Sequence, residues 1–174
     1  MTVSYPLPRP LRTQEVTDQH TDAWVAAIED HQARVLSLEG RGIIGKSGPV
    51  TAPQGNITTA DVDLTGMTAK VTVDGTRQIS VSAYALIAST VAGDRYVVKL
   101  WDETGQIIQQ WIETIMVSGV TSGTAKPETP TFTPTAGQHT YKATLARASG
   151  TGTLTLRADP TSPCWLKVRD EGPA

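Results

Sequence analysis

The chain has 174 residues, with 15 Lys and Arg against 17 Asp and Glu, so its formal net charge is −2. This near balance argues against nucleic acid as a partner, since phosphate binding needs a basic surface, and no apolar run approaches the roughly 20 residues of a membrane-spanning helix. The single cysteine excludes an internal disulfide. We therefore expect a soluble protein that has neither a membrane nor a nucleic acid among its partners.

The first twelve residues form a proline-rich arm, with a proline at every second position from Pro6 to Pro10. Proline fixes φ and biases the preceding residue toward extended geometry, so the arm is predicted to be polyproline-like. One interpretation is a docking arm that lies along a partner surface, with Tyr5, Leu7 and Leu11 as its apolar contacts. The other is a chain end without fixed structure, and the composition suits both.

Residues 13–39 are predicted to form one helix. Thr17 followed by Asp18 offers an N-cap with a carboxylate in the first turn, and Gly40 stands where a C-cap is expected. Five side chains are spaced 4, 3, 4 and 3 residues apart, namely Trp24, Ile28, His31, Val35 and Leu38. This period of about 3.5 residues is typical of a coiled-coil seam between identical helices. The alternative is an amphipathic helix that lies on its own β domain. We favour self-association, because a long Gly/Pro-rich stretch separates the helix from the predicted strands.

That stretch, residues 40–55, is predicted to be a linker. Five glycines and two prolines fall within it. Such a composition argues against any regular element and marks a boundary between the helix and the following domain.

Residues 56–174 are predicted to form a β domain. The chain contains 26 threonines, which favour strands, and apolar and polar residues alternate here at period two between turn residues. Five inward-facing rows follow from the alternation: Ala69, Val71 and Val73; Ile79, Val81, Ala83, Ala85 and Ile87; Tyr96, Val98 and Leu100; Tyr141, Ala143 and Leu145; and Cys164, Leu166 and Val168. The proline-containing segment 118–134 is expected to cross between sheets or to form an edge. About seven strands at this spacing predict a mainly β fold, an antiparallel, jelly-roll-like β-sandwich preceded by the arm and one α-helix.

The sequence offers little catalytic chemistry. His20 and His31 lie on the predicted helix and His139 opens a strand, so no histidine is placed beside a nucleophile. Cys164 falls within an alternating strand and is interpreted as a buried small apolar residue. We predict no catalytic, metal or cofactor site, and therefore a protein that is not an enzyme.

Three tryptophans in the predicted strands, Trp101, Trp111 and Trp165, have the ring chemistry that stacks on sugars. Two of them share strands with inward-facing residues, so packing in a core or an interface is the interpretation we favour. Trp101 remains the candidate contact to a glycan.

The C-terminal part carries three short motifs: Gly137-Gln138-His139-Thr140-Tyr141, then Ser149-Gly150-Thr151-Gly152, and finally Asp170-Glu171-Gly172-Pro173. With these motifs, residues 66–173 resemble the β-sandwich domains of virion proteins in tailed phages of actinobacteria, of the minor tail, fibre or head-decoration type. Such proteins often place a short helix or coiled coil before the sandwich and assemble as trimers. Fibres proper are much longer, which favours a small accessory piece of the virion.

The resemblance implies a non-enzymatic structural protein on the virion surface, made in the host cytoplasm. Its implied partners are itself, as a homotrimer, a capsid or tail protein, and a host cell-surface glycan. The arm and helix would anchor the chain while the sandwich projects. The alternative is a carbohydrate-binding β-sandwich module or a host-attachment adhesin, although the first residues show no signal peptide that would export such a module.

Overall fold

The computed structural model describes residues 24–30 and 42–174. The chain divides into two compact units, Met1–Glu39 and Gly40–Ala174. In the first unit, residues 24–30 form a helix, α1, inside the range predicted to be helical. The proline-rich arm and the rest of the predicted helix lie outside the described residues. In the described ranges, no helix has the length and apolarity that a membrane span requires.

The second unit is built from ten strands in its described residues. They are β1 (Gly42–Lys46), β2 (Gln54–Ile57), β3 (Val62–Val73), β4 (Arg77–Ser89), β5 (Arg95–Trp101), β6 (Ile107–Thr114), β7 (Thr121–Ala125), β8 (Gly137–Ser149), β9 (Leu154–Leu156) and β10 (Trp165–Pro173).

These strands form two antiparallel sheets. The smaller has four strands in the order β3-β8-β5-β6, and the larger has six, in the order β1-β10-β4-β9-β2 with β7 joined to β4. Strand β4 is the centre of the larger sheet, because residues 77–84 pair with β10, residues 87–89 with β9 and residues 85–88 with β7. The predicted fold class, a mainly β chain folded as an antiparallel β-sandwich, is confirmed.

The core lies between the two sheets and is formed largely by the predicted inward rows. One cluster of 24 buried residues spans both sheets. Nearly every side chain of the predicted rows belongs to it, including Ile79, Val81, Ala83, Ala85, Ile87, Tyr96, Val98, Leu100, Tyr141, Ala143, Leu145, Cys164, Leu166 and Val168. Full burial of one large aliphatic side chain is worth about 1.5–3 kcal/mol, so this unit has the core of an independent domain.

The expectation that residues 40–55 hold no regular element is wrong. Strand β1 pairs with β10, opposing Lys46 to Lys167, and β2 pairs with β9. A Cβ added at Gly45 would lie 2.1 Å from Cγ1 of Val71. A side chain at position 45 would therefore prevent β1 from packing closely on β3, which explains this glycine. The other described glycines of the segment, such as Gly42 and Gly48, have no comparable close contact.

Residues 118–134 run along the edge of the larger sheet. After β7, Glu128 and Phe132 form isolated bridges with Ser82 and Ile79 of β4. The segment takes both predicted roles: it leaves the smaller sheet after β6 and returns to it at β8, and between them it forms an edge beside β4. Its prolines limit the pairing to short stretches.

Candidate ligand-binding groove

A groove of about 470 Å³ lies on the outer face of the larger sheet. Its floor includes Ser80 and Ser82 of β4, which oppose Arg169 and Lys167 of β10 in the strand register. Directly opposed residues project from the same face of an antiparallel pair. The two small serines therefore leave a depression between longer side chains.

One end of the groove is aromatic. Tyr84 and Trp165 oppose each other in the register, and their rings are nearly parallel, with centroids 5.9 Å apart and planes 19° apart. Each ring carries an ammonium group: Nζ of Lys167 lies 3.9 Å from the Trp165 centroid. Nζ of Lys126 lies 5.9 Å from the Tyr84 centroid. The end of the groove thus combines two half-buried rings with two cations, an arrangement held by cation–π attraction.

The groove is positively charged within an acidic chain. Its lining includes the cations Lys126, Lys167 and Arg169 and the carboxylate of Glu128. A second carboxylate, that of Glu171, accepts the hydroxyl of Ser80 in the groove floor over 2.6 Å. In the described residues, none of these three cations forms an ion pair with a carboxylate.

On the outer face of the smaller sheet, by contrast, two lysines are paired with aspartates. There, Nζ of Lys99 lies 2.7 Å from Oδ2 of Asp61, and Nζ of Lys142 lies 2.9 Å from Oδ1 of Asp63. Trp101, the predicted glycan contact, lies on this face. It is half-buried, and its indole N–H donates to Oγ1 of Thr144 over 2.8 Å. The structure therefore puts Trp101 on the sheet opposite the groove, and its role as a glycan contact stays a prediction.

Two predicted seam residues lie on α1. Trp24 is 72% exposed and Ile28 is 53% exposed, one helical turn apart. The other seam residues, His31, Val35 and Leu38, lie outside the described residues. So do the docking-arm residues Tyr5, Leu7 and Leu11.

The histidine and the cysteine of the sandwich are both held by hydrogen bonds. Nδ1 of His139 lies 2.7 Å from Oε1 of Glu103, and Nε2 lies 2.8 Å from the carbonyl of Thr135. The bond to that carbonyl raises the pKa of His139, burial opposes it, and Glu103 reinforces it. In Cys164, by contrast, burial is the main cause of a raised pKa, and the sulfur accepts the N–H of Leu86. The buried position predicted for Cys164 is confirmed, and its protonated thiol is a poor nucleophile.

Carboxylates elsewhere in the sandwich hold turns. The pKa of Asp74 and of Asp159 is lowered mainly by hydrogen bonds from the threonine two residues further on. In Asp102, burial raises the pKa, and bonds from Thr104 and from three backbone N–H groups lower it by more. Across residues 24–30 and 42–174, no three His, Cys, Asp or Glu side chains are placed to hold a metal ion.

Sequence reasoning missed the groove. The alternation that places Ile79 and Val81 in the core also places Ser80, Ser82 and Tyr84 on the outer face. The contribution of β4 to the groove could therefore be predicted from the sequence. The other half of the groove comes from β10, about 85 positions along the chain. Its opposition of Trp165 to Tyr84 depends on a long-range register that the sequence pattern does not specify.

No protein-family model and no curated protein sequence matches the chain. Among solved structures, dimeric latent PorU from Porphyromonas gingivalis has a TM-score of 0.45 and 8% identity, over 76% of this chain and 13% of that one. The carbohydrate-binding module CBM36 in complex with calcium and xylotriose has a TM-score of 0.38 and 15% identity, over 74% and 91%. The VP2 subviral particle of infectious bursal disease virus has a TM-score of 0.32 and 11% identity, over 76% and 36%. Similarities this weak say nothing about function.

Proposed function

We propose that the chain is a non-enzymatic structural protein of a phage virion, of the minor tail, fibre or head-decoration type. In this proposal the N-terminal arm and helix anchor the chain and the β-sandwich projects from the virion surface. The observation that carries it is the contrast between the two units. The sandwich has a buried apolar core of its own, although it also exposes apolar side chains on and after β6, such as Ile112 and Met116. All seven described residues of α1 are exposed, Trp24 and Ile28 among them.

The exposed side chains of α1 support self-association. Trp24 and Ile28 stand at the first two described positions of the predicted seam, and identical helices that pair through such a seam remove these groups from water. We propose a homotrimer as the assembly. Three arms on one trimer would bind a capsid or tail protein more tightly than one arm, because the second and third contacts form at high effective concentration.

Buried carboxylates of the sandwich are used to hold its own backbone. Asp170 is buried, binds the guanidinium of Arg77 and accepts the N–H of Gly172 over 2.9 Å. Asp94 is buried at the junction of two loops and accepts the N–H of Thr151 over 3.0 Å. These carboxylates hold backbone in place. The sequence resemblance of residues 66–173 to phage virion domains supplies the setting.

The virion assignment is tested by quantitative mass spectrometry of purified particles of the phage that encodes the chain. We expect the chain in every particle, in a copy number divisible by three. Absence of the chain from intact, infectious particles would overturn the assignment.

The groove favours a second candidate, a carbohydrate-binding module or host-attachment adhesin. Its supporting observation is the pair of parallel rings, Tyr84 and Trp165, beside the serine floor. Ser80 is buried and donates its hydroxyl to Glu171, so Ser82 is the floor serine that a ligand can reach. Aromatic rings next to a hydroxyl group are suited to sugar faces and sugar hydroxyls. The test is binding of the full chain to a glycan array. Loss of binding in Trp165→Ala with retention in Trp101→Ala would place the sugar in the groove, and the reverse result would place it at Trp101.

A further inference from the structure

We propose that the groove on the larger sheet binds an acidic oligosaccharide, one whose sugar rings carry carboxylates. This inference deepens the carbohydrate-binding candidate and rests on it. The groove volume of about 470 Å³ falls in the usual range of small-ligand sites, roughly 300–1,000 Å³.

The charge of the groove favours an anionic ligand. The cations of the smaller sheet's outer face, Lys99 and Lys142, each have an aspartate as partner. In the described residues, the groove cations Lys126, Lys167 and Arg169 have none, although they lie on one face. Lys46, which opposes Lys167 in the register, adds a fourth cation to this face. A cluster of cations without carboxylate partners attracts an anion, and the attraction is strongest in a partly enclosed groove.

The position of Lys167 favours a charged sugar over a neutral one. Its Nζ lies 3.9 Å from the Trp165 centroid and covers one face of that ring. A neutral sugar that stacked on this face would have to displace the ammonium group. A carboxylate on the sugar would instead pair with the ammonium, so the charged sugar uses a group that obstructs the neutral one.

The hydrogen-bonding groups of the groove favour a sugar over an acidic peptide. Ser82 is half-buried in the groove floor, and its hydroxyl bonds to no other described side chain. The carboxylate of Glu128, which lies beside Ser82, is exposed and accepts hydrogen bonds, and the ionised side chains of an acidic peptide have no donor to offer it. Sugar hydroxyls donate to a carboxylate such as Glu128 and exchange hydrogen bonds with Ser82. The mixed lining of cations, one carboxylate, a hydroxyl and two rings thus matches an acidic sugar better than an acidic peptide.

The experiment is isothermal titration of the full chain with three probes: a tetrasaccharide of galacturonic acid, its methyl ester, and tetraglutamate. The ester has the same sugar rings without the charges. We expect the acid to bind about tenfold more tightly than the ester, to weaken as salt is added, and to bind more tightly than tetraglutamate.

The matched variants are Lys167→Gln in the groove and Lys70→Gln on β3 of the other sheet, which change the net charge equally. We expect Lys167→Gln to weaken binding of the acid about tenfold and Lys70→Gln to leave it unchanged. Thermal unfolding confirms that each variant is folded, and Lys126→Gln provides a second groove variant with an exposed side chain.

The possible failures are distinguishable. Equal affinity for the acid and the ester would overturn the acidic-sugar inference and leave the carbohydrate-binding candidate standing. Binding of neither sugar would overturn both. Binding of tetraglutamate as tight as the acid would overturn the inference in favour of an acidic peptide. An equal loss in Lys70→Gln and Lys167→Gln would show that net charge, and not the groove, attracts the probe. None of these results alters the virion proposal.

Discussion

Replacement of Asp94 is expected to be among the most destabilising polar substitutions in the sandwich. Its side chain is 1% exposed. One carboxylate oxygen accepts the hydroxyl of Ser89, and the other accepts the N–H of Thr151 over 3.0 Å and of Gly152 over 3.3 Å. The carboxylate therefore joins the end of β4 to the loop between β8 and β9.

The magnitude follows from these three bonds. A hydrogen bond to a charged group contributes about 1.5–3 kcal/mol, and a buried donor left without a partner costs about 1–3 kcal/mol. Asp94→Ala leaves two backbone N–H donors without a partner and is expected to lower the free energy of unfolding by about 4 kcal/mol. Asp94→Asn keeps one acceptor oxygen, and the Ser89 hydroxyl can turn to accept from the new amide, so a cost of about 1–2 kcal/mol is expected.

The assay is equilibrium unfolding in urea, with Asp63→Asn as the control. Asp63 pairs with Lys142 at the surface, and breaking an exposed ion pair is expected to cost at most about 1 kcal/mol. A cost for Asp94→Ala no larger than that of the control would refute the reasoning.

The contribution of Asp94 to the stability of the fold is expected to depend on pH. Burial raises the pKa of Asp94, and the bonds from Ser89, Gly152 and Thr151 with the nearby Arg147 lower it by more, so its pKa lies below the ordinary 3.8. The ionised group therefore stabilises the fold above pH 3.8, and this stabilisation is lost as the pH falls through the lowered pKa. The stability difference between the wild type and Asp94→Asn should narrow in that acid range. A difference that stayed constant would contradict the assignment.

Two further predictions concern the packing at Gly45 and the protonation of His139. Gly45→Ala forces a Cβ to within 2.1 Å of Val71 and is expected to lower the free energy of unfolding by about 1–3 kcal/mol in urea, whereas Gly48→Ala, which meets nothing within 4 Å, should change it little. The Thr135 carbonyl, opposed by burial and reinforced by Glu103, raises the pKa of His139 above its ordinary 6.5. The contribution of His139 to the free energy of unfolding should therefore be fully present below pH 6.5 and fall as the pH rises through the raised pKa. His139→Gln should remove this fall, and a wild type whose stability is flat across that range would contradict the bond pattern.

The sequence pattern predicted the core well because strand alternation is a local property. Positions such as Ile79, Val98 and Leu166 could be assigned to the interior from their neighbours alone. The sheet order could not be predicted, since β4 pairs with β10, β9 and β7 through contacts that are distant in the chain. The same limit hid the groove, which exists only where β10 lies beside β4.

The glycine-rich composition of residues 40–55 led to the wrong prediction of a linker where β1 and β2 lie. A glycine suits a linker and a close approach between strands equally well, and at Gly45 only the position of Val71, which is distant in the chain, distinguishes the two. Tryptophans posed a similar problem. Trp101 and Trp165 look alike in the alternating pattern, but Trp101 donates to Thr144 on one sheet and Trp165 lies against Tyr84 and Lys167 on the other.

The central claim is that the N-terminal helix drives self-association while the sandwich folds independently. The mass of the full chain in solution tests this claim most directly. Sedimentation equilibrium should give three times the 18.5 kDa of one chain. The double variant Trp24→Ser/Ile28→Ser should return to one chain, while Val25→Ser, an exposed apolar position beside the seam, should remain a trimer. A wild type that sediments as a single chain at every concentration would contradict the claim.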